Sequence, residues 1–215
     1  MELIGIDRVK VVSLFFVSRP EGQPMLDKMA VGLARKYSFA IAPSKIEELT
    51  AEKIVFAQGN FQNHRIDQLE IFSDGIVVSA KSPSNVIDAF IIELLAWAND
   101  EFGLKRIETH VSSKTYESHL IVHSQKKLLS IMDGLKGVQN SLRKMLNAST
   151  KIDVEMEHFG FSIAADLTKI AGLKPIAFRL ERKADASFGS NIYYSSAPLR
   201  TSDHLKVLEQ IEALV

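Results

Sequence analysis

The chain has 215 residues, 46% hydrophobic and 24% charged, with 26 basic residues matched by 26 acidic ones and no cysteine. A chain of this length buries about 70% of its extended surface on folding, which excludes disordered, collagenous and disulfide-scaffold classes. Without cysteine there is no disulfide, thiolate metal site, iron–sulfur cluster or cysteine nucleophile, and the balanced charge argues against strong non-specific attraction to DNA or anionic membranes.

The opening residues, Met1-Glu2-Leu3-Ile4-Gly5-Ile6-Asp7-Arg8, lack a basic start followed by an unbroken apolar run, so no signal peptide is expected. The most apolar run, 86–98, is interrupted by Asp88 and Glu93 and is shorter than the ~20 residues a membrane span needs. These features predict a soluble, cytoplasmic protein.

Segment 8–18 is rich in β-branched and aromatic residues and ends at Arg19-Pro20-Glu21-Gly22, which predicts a strand. From Gln23 to Tyr37, Met25, Leu26, Met29, Ala30, Leu33 and Ala34 recur at helical spacing. A strand is predicted at Lys53–Ala57, with Gln58-Gly59-Asn60 as a turn. Two β-rich runs, 65–72 and 76–80, flank Ser73-Asp74-Gly75, and Asp-Gly favours a tight hairpin turn. Ser82-Pro83 supplies an N-cap and a first-turn proline for a helix reaching about Glu101, and Gly103 stands where a C-terminal glycine cap belongs.

The second half follows a related order. Strands are predicted at 105–111 and 118–123, a helix at 125–146, strands at 159–164, 176–182 and 192–196, and a last helix at 202–214. The run Ile76–Ala80 leads through Pro83 into a helix, as Ile192–Ser196 leads through Pro198 into another. The expected architecture is α+β, with antiparallel sheets and about four helices packed on them. Two related β-α-β-β-β-α halves are suggested, 1–103 and 104–215, tightly fused or forming one compact domain.

Six histidines invite a search for a site. His119 and His123 lie four apart in a predicted strand, roughly 13 Å from each other and too far to share a metal. Pairing 105–111 with 118–124 sets His110 opposite His119, with Arg106, Glu108 and His123 on the same face. Two histidines and a carboxylate there offer acid–base chemistry, against the alternative of an ordinary solvated strand face. Asp153, Glu155 and Glu157 alternate with Ile152, Val154 and Met156 like a half-buried strand, with Arg179, Glu181 and Lys183 as cross-strand partners. No helical His-x-x-x-His pair, EF-hand, phosphate loop or nucleophile elbow is present. No catalytic residue, metal site or cofactor is therefore assigned, and a non-enzymatic role is favoured.

Residues 118–155 run strand, short helix, Gly134-Leu135-Lys136-Gly137, second helix, strand. In order and spacing this resembles a KH nucleic-acid-binding domain, whose Gly-x-x-Gly loop clamps a single-stranded backbone. Lys126, Lys127, Lys136, Arg143, Lys144 and Lys151 face one acid, Asp133, over 124–151. The resemblance implies that this basic segment, with Gly134 and Gly137, would hold phosphate. The competing reading is one continuous helix over 125–146, because Leu128, Ile131, Met132, Leu135, Val138, Leu142, Met145 and Leu146 form an unbroken stripe that a loop would interrupt. Eight buried side chains are then expected, and the two glycines would let another backbone approach closely.

The 83–101 helix leaves almost no polar face over 86–98. Such a helix is either covered inside its own chain or buried against a second copy, with Phe90, Leu94 and Trp97 as anchors. The favoured function is a binding or assembly protein acting through protein–protein contacts as a homodimer. Single-stranded nucleic-acid binding through 124–151 is the first alternative, and an enzyme using Glu108, His110 and His119 the second.

Overall fold

The computed structural model describes residues 1–15, 17–18, 26–49, 52–106, 113–150, 153 and 155–215. Its centre is an eight-stranded antiparallel sheet built from β1 (Glu2–Leu14), β3 (Ile54–Phe61), β4 (His64–Phe72), β5 (Gly75–Ala80), β7 (Lys114–His123), β8 (Gly160–Ile163), β9 (Phe178–Arg182) and β10 (Ile192–Ala197). A separate two-stranded ribbon pairs β2 (Val17–Ser18) with β6 (Lys105–Arg106). Four α-helices exceed one turn among the described residues: α1 (Leu26–Lys36), α3 (Ser84–Phe102), α4 (Lys136–Thr150) and α5 (Thr201–Ala213), with a short α2 at Ile46–Leu49. The α+β expectation stands. No described helix is long and apolar enough to cross a membrane.

The strand order is β3-β4-β5-β1-β7-β10-β9-β8. Outward from β1 come β5, β4 and β3; outward from β7 come β10, β9 and β8, so the order is mirrored about the central β1–β7 pair. On each side the last strand before a helix lies next to the centre, β5 leading into α3 and β10 into α5. The two helices meet at their first turns. The Ser84 amide donates to Thr201 Oγ1 at 3.0 Å, and the Thr201 amide donates to Ser84 Oγ at 3.1 Å. Each helix thus supplies the cap the other lacks, because Pro83 and Arg200 at the N-cap positions make no side-chain cap bond. Ser82, expected to cap α3, instead meets His64 Nδ1 at 3.1 Å.

Alternation along each strand divides the sheet into two faces. Val9, Val11, Val78, Leu120, Val122, Leu180 and Tyr193 are buried under the helices. Arg8, Lys10, Gln68, Glu70, Glu117, His119 and Tyr194 lie on the other side. Two apolar cores result, one centred on Phe56, Phe61, Ile87 and Phe90, the other on Leu120, Leu128, Leu180 and Leu208.

Local signals hold where turn chemistry dictates them. Phe72 pairs with Gly75 across a two-residue turn, and Gly103 closes α3 in the left-handed conformation, φ 63°, with its N–H on Asn99 O. Gly59 proves to be strand rather than turn. β3 continues to Phe61, and the Phe39 ring packs where a Cβ on Gly59 would stand.

Other expectations fail because pairing is settled elsewhere. The 105–111/118–124 hairpin does not form: both edges of β7 are taken, by β1 and β10, and His119 stands opposite Arg8 and Ser196. Residues 107–112, with Glu108 and His110, lie outside the described set. No strand forms among the described residues of 153–159, and β9 pairs with β8 and β10 instead.

Candidate functional site

Helix α3 lies on the covered side of the sheet. Phe90 is fully buried and Leu94 is 4% exposed. The Phe90 ring meets Tyr37 at 4.9 Å and Phe61 at 5.4 Å, both edge-on. Trp97 packs edge-on against Phe102 at 5.3 Å, and a Cβ on Gly32 of α1 would stand 3.1 Å from its ring. The three residues expected as dimer anchors are therefore engaged within their own chain. The helix buries Ile87, Phe90, Ile91 and Leu94 on one face and leaves Ile92 exposed on its outer face.

Within the basic segment the backbone is helical from Leu128 to Thr150. A 3-10 helix, Leu128–Leu135, runs directly into α4, so Gly134 and Gly137 lie in helical backbone and form no phosphate-clamping loop. A Cβ at either glycine meets nothing within 4 Å, so neither marks a close backbone approach. Much of the positive charge is already engaged. Lys136 pairs with Asp133 at 2.6 Å, Arg143 with Asp153 at 3.1 Å, and Lys126 Nζ donates to Glu212 O at 3.0 Å. Lys127 precedes the 3-10 helix as its N-cap residue, and Lys144 is exposed on α4.

The apolar stripe of this segment departs most from expectation. Leu128 is buried, with its backbone N–H on the Tyr193 hydroxyl at 3.0 Å, and Met132 packs partly against the second core. The rest of the stripe is uncovered. Ile131, Leu135, Val138, Leu142 and Leu146 are exposed, Met145 at 70%, and α4 buries none of its 15 residues. The mirrored sheet order sharpens the contrast. Helix α1, between β1 and β3, buries Ala30 and Leu33, whereas α4, between β7 and β8, leaves the corresponding ridge bare. The periodicity was visible in the sequence; the missing cover was not.

Two polar clusters complete the search. On the open sheet face the Tyr194 hydroxyl hydrogen-bonds His119 Nδ1, whose Nε2 lies 2.6 Å from Glu117, and Arg8 pairs with the same carboxylate at 2.8 Å. Burial pushes the Glu117 carboxyl up, but the His119 hydrogen bond and the charges of His119, Arg8 and Lys10 outweigh it and hold it below the usual range. Burial and the charge of Asp7 raise the Tyr194 phenol, so it stays protonated. The cluster ties β1, β7 and β10 together without an activated nucleophile. Arg8, Lys10, Gln68, Glu70 and Ser79 line an adjoining depression of about 190 Å³, of mixed charge.

On the covered face, His204 is fully buried between Ser118 Oγ at 2.7 Å and Ser195 Oγ at 2.8 Å. Ser195 donates its hydroxyl proton to Arg179 O at 2.6 Å, so it accepts from His204 Nε2–H, and Nδ1 accepts from Ser118. Burial above all, with a smaller contribution from His119, lowers the His204 pKa to about 4. Buried side chains enclose the triplet, and it acts as a polar tie between sheet and α5. Among the described residues no group of three or more His, Asp or Glu is placed to hold a metal ion.

No protein-family model matches the chain, and no curated protein matches it. Among solved structures, TBP from Methanococcus jannaschii is similar at 15% identity and a TM-score of 0.45, over 98% of each chain.

Proposed function

We propose that the protein is a non-enzymatic assembly protein that forms a homodimer through the apolar face of α4. The observation that carries this reading is a helix of 15 residues with no buried side chain and a ridge of Val138, Leu142, Met145 and Leu146 continuous with Ile131 and Leu135. An apolar ridge of this kind on a soluble surface marks an interaction site. The flanking charges favour a second copy over an oppositely charged partner. Asp133 and Asp153 pair with Lys136 and Arg143 within the chain, which reduces the like-charge repulsion across a twofold axis. The same pairing weighs against nucleic acid as the partner, since phosphate binding rests on uncompensated basic charge.

Sedimentation at tens of micromolar, with circular dichroism as the control for folding, tests the reading. Leu142→Glu combined with Met145→Glu is expected to convert a dimer to a monomer with unchanged secondary structure, because neither side chain belongs to the core. A wild type that is monomeric in this range, or a double variant that remains dimeric, overturns it. Salt-steep binding of single-stranded RNA by a monomeric wild type would replace it with the nucleic-acid alternative.

A further inference from the structure

A cavity of about 150 Å³ opens in the first core, between α1, α3 and the β4–β5 hairpin. Its floor is made by the buried side chains of Phe15, Ala30, Leu33, Phe56 and Leu94, while Leu26 and Ser73 at its edge are exposed. Among the described residues no charged side chain lines the cavity, and Ser73 supplies the one side-chain hydroxyl. Protein cores pack so closely that voids larger than a water molecule are few. Water gains little here, because it needs two to four polar partners, whereas an apolar cavity of this size stays dry and accepts a benzene-sized guest.

We propose that this cavity is a binding site for a small uncharged apolar molecule, an aromatic ring or short alkyl chain of roughly six to eight heavy atoms. The chemistry of the walls sets the class. A carboxylate or ammonium would lose its hydration with no partner to replace it, whereas an uncharged ring exchanges water for contact with aliphatic and aromatic side chains. A single hydroxyl on the guest is accommodated if it lies towards Ser73. The site is independent of α4 and of the dimer.

Trp97, the one tryptophan in the sequence, lines the cavity, so occupancy reports on its emission. Toluene is the probe and benzoate the charged control. Toluene is expected to change Trp97 fluorescence saturably and to raise Tm by about 3–6 °C at a tenfold excess over Kd, with no response to benzoate. Ala98→Leu, which adds side-chain volume at the wall, is expected to abolish both responses while keeping the wild-type circular dichroism. Chemical-shift mapping on the wild type gives a measurement that needs no variant: shifts should concentrate at Leu33, Phe56 and Leu94. Absence of a saturable response up to the solubility of toluene, an unchanged response in folded Ala98→Leu, an equal response to benzoate, or shifts spread over the surface would each overturn the proposal.

Discussion

Acidification provides a direct test of the buried His204 triplet. In the unfolded chain the imidazole has a pKa near 6.5, and in the folded protein burial lowers it to about 4. Between these values the unfolded state binds the extra proton and the folded state does not, so the triplet's contribution to stability falls as pH drops through that window. The difference between about 6.5 and about 4, at about 1.4 kcal/mol for each tenfold change in proton affinity, bounds the loss at roughly 3.5 kcal/mol, with about 2 kcal/mol already lost at pH 5. The hydrogen bonds give the same sign. Protonation at Nδ1 removes the acceptor that Ser118 uses and places a charge among apolar neighbours including Phe178, whose ring centroid lies 6.0 Å away. Urea unfolding at pH 7 and pH 5, for wild type and His204→Asn, measures the effect after the shared carboxylate contributions are subtracted. The wild type should lose about 2 kcal/mol more than the variant over this interval. Equal losses would refute the assignment of a neutral, desolvated His204.

Two further outcomes follow from burial and capping. Leu120→Ala, at a fully buried position, should cost roughly 2–5 kcal/mol in chemical denaturation, whereas His119→Ala on the open face should cost about 1 kcal/mol; a reversal of that order would mean that the open-face cluster has more than a tying role. Ser84→Ala and Thr201→Ala should each cost about 1 kcal/mol, and the double variant should fall short of the sum because each change removes one half of a reciprocal pair; strict additivity in the double-mutant cycle would contradict the shared cap.

Local chemistry made several features legible in the sequence. Asp74-Gly75 signalled the β4–β5 hairpin, Gly103 the end of α3, and the β-rich runs before Pro83 and Pro198 the equivalent placement of β5 and β10. Each depends on backbone preferences within a few residues, which a sequence records directly. Periodicity also showed that α3 and α4 carry apolar faces, but a period cannot say what lies opposite. α3 buries Ile87, Phe90, Ile91 and Leu94 and leaves Ile92 exposed, whereas α4 buries none of its residues, although the α4 stripe has the more regular pattern. Strand partners were equally beyond local reading. The 105–111 hairpin failed because β1 and β10, more than 65 residues distant from β7 along the chain, occupy both its edges, and hydrogen-bonded edges admit no third strand. The His204 triplet joins β7, β10 and α5, with Ser118 86 residues and Ser195 9 residues from His204 along the chain, and no spacing rule links a histidine to serines at such separations. Such contacts depend on loop closure and burial of the whole sheet, and so the tertiary structure alone decided which polar groups became partners and which apolar face remained exposed.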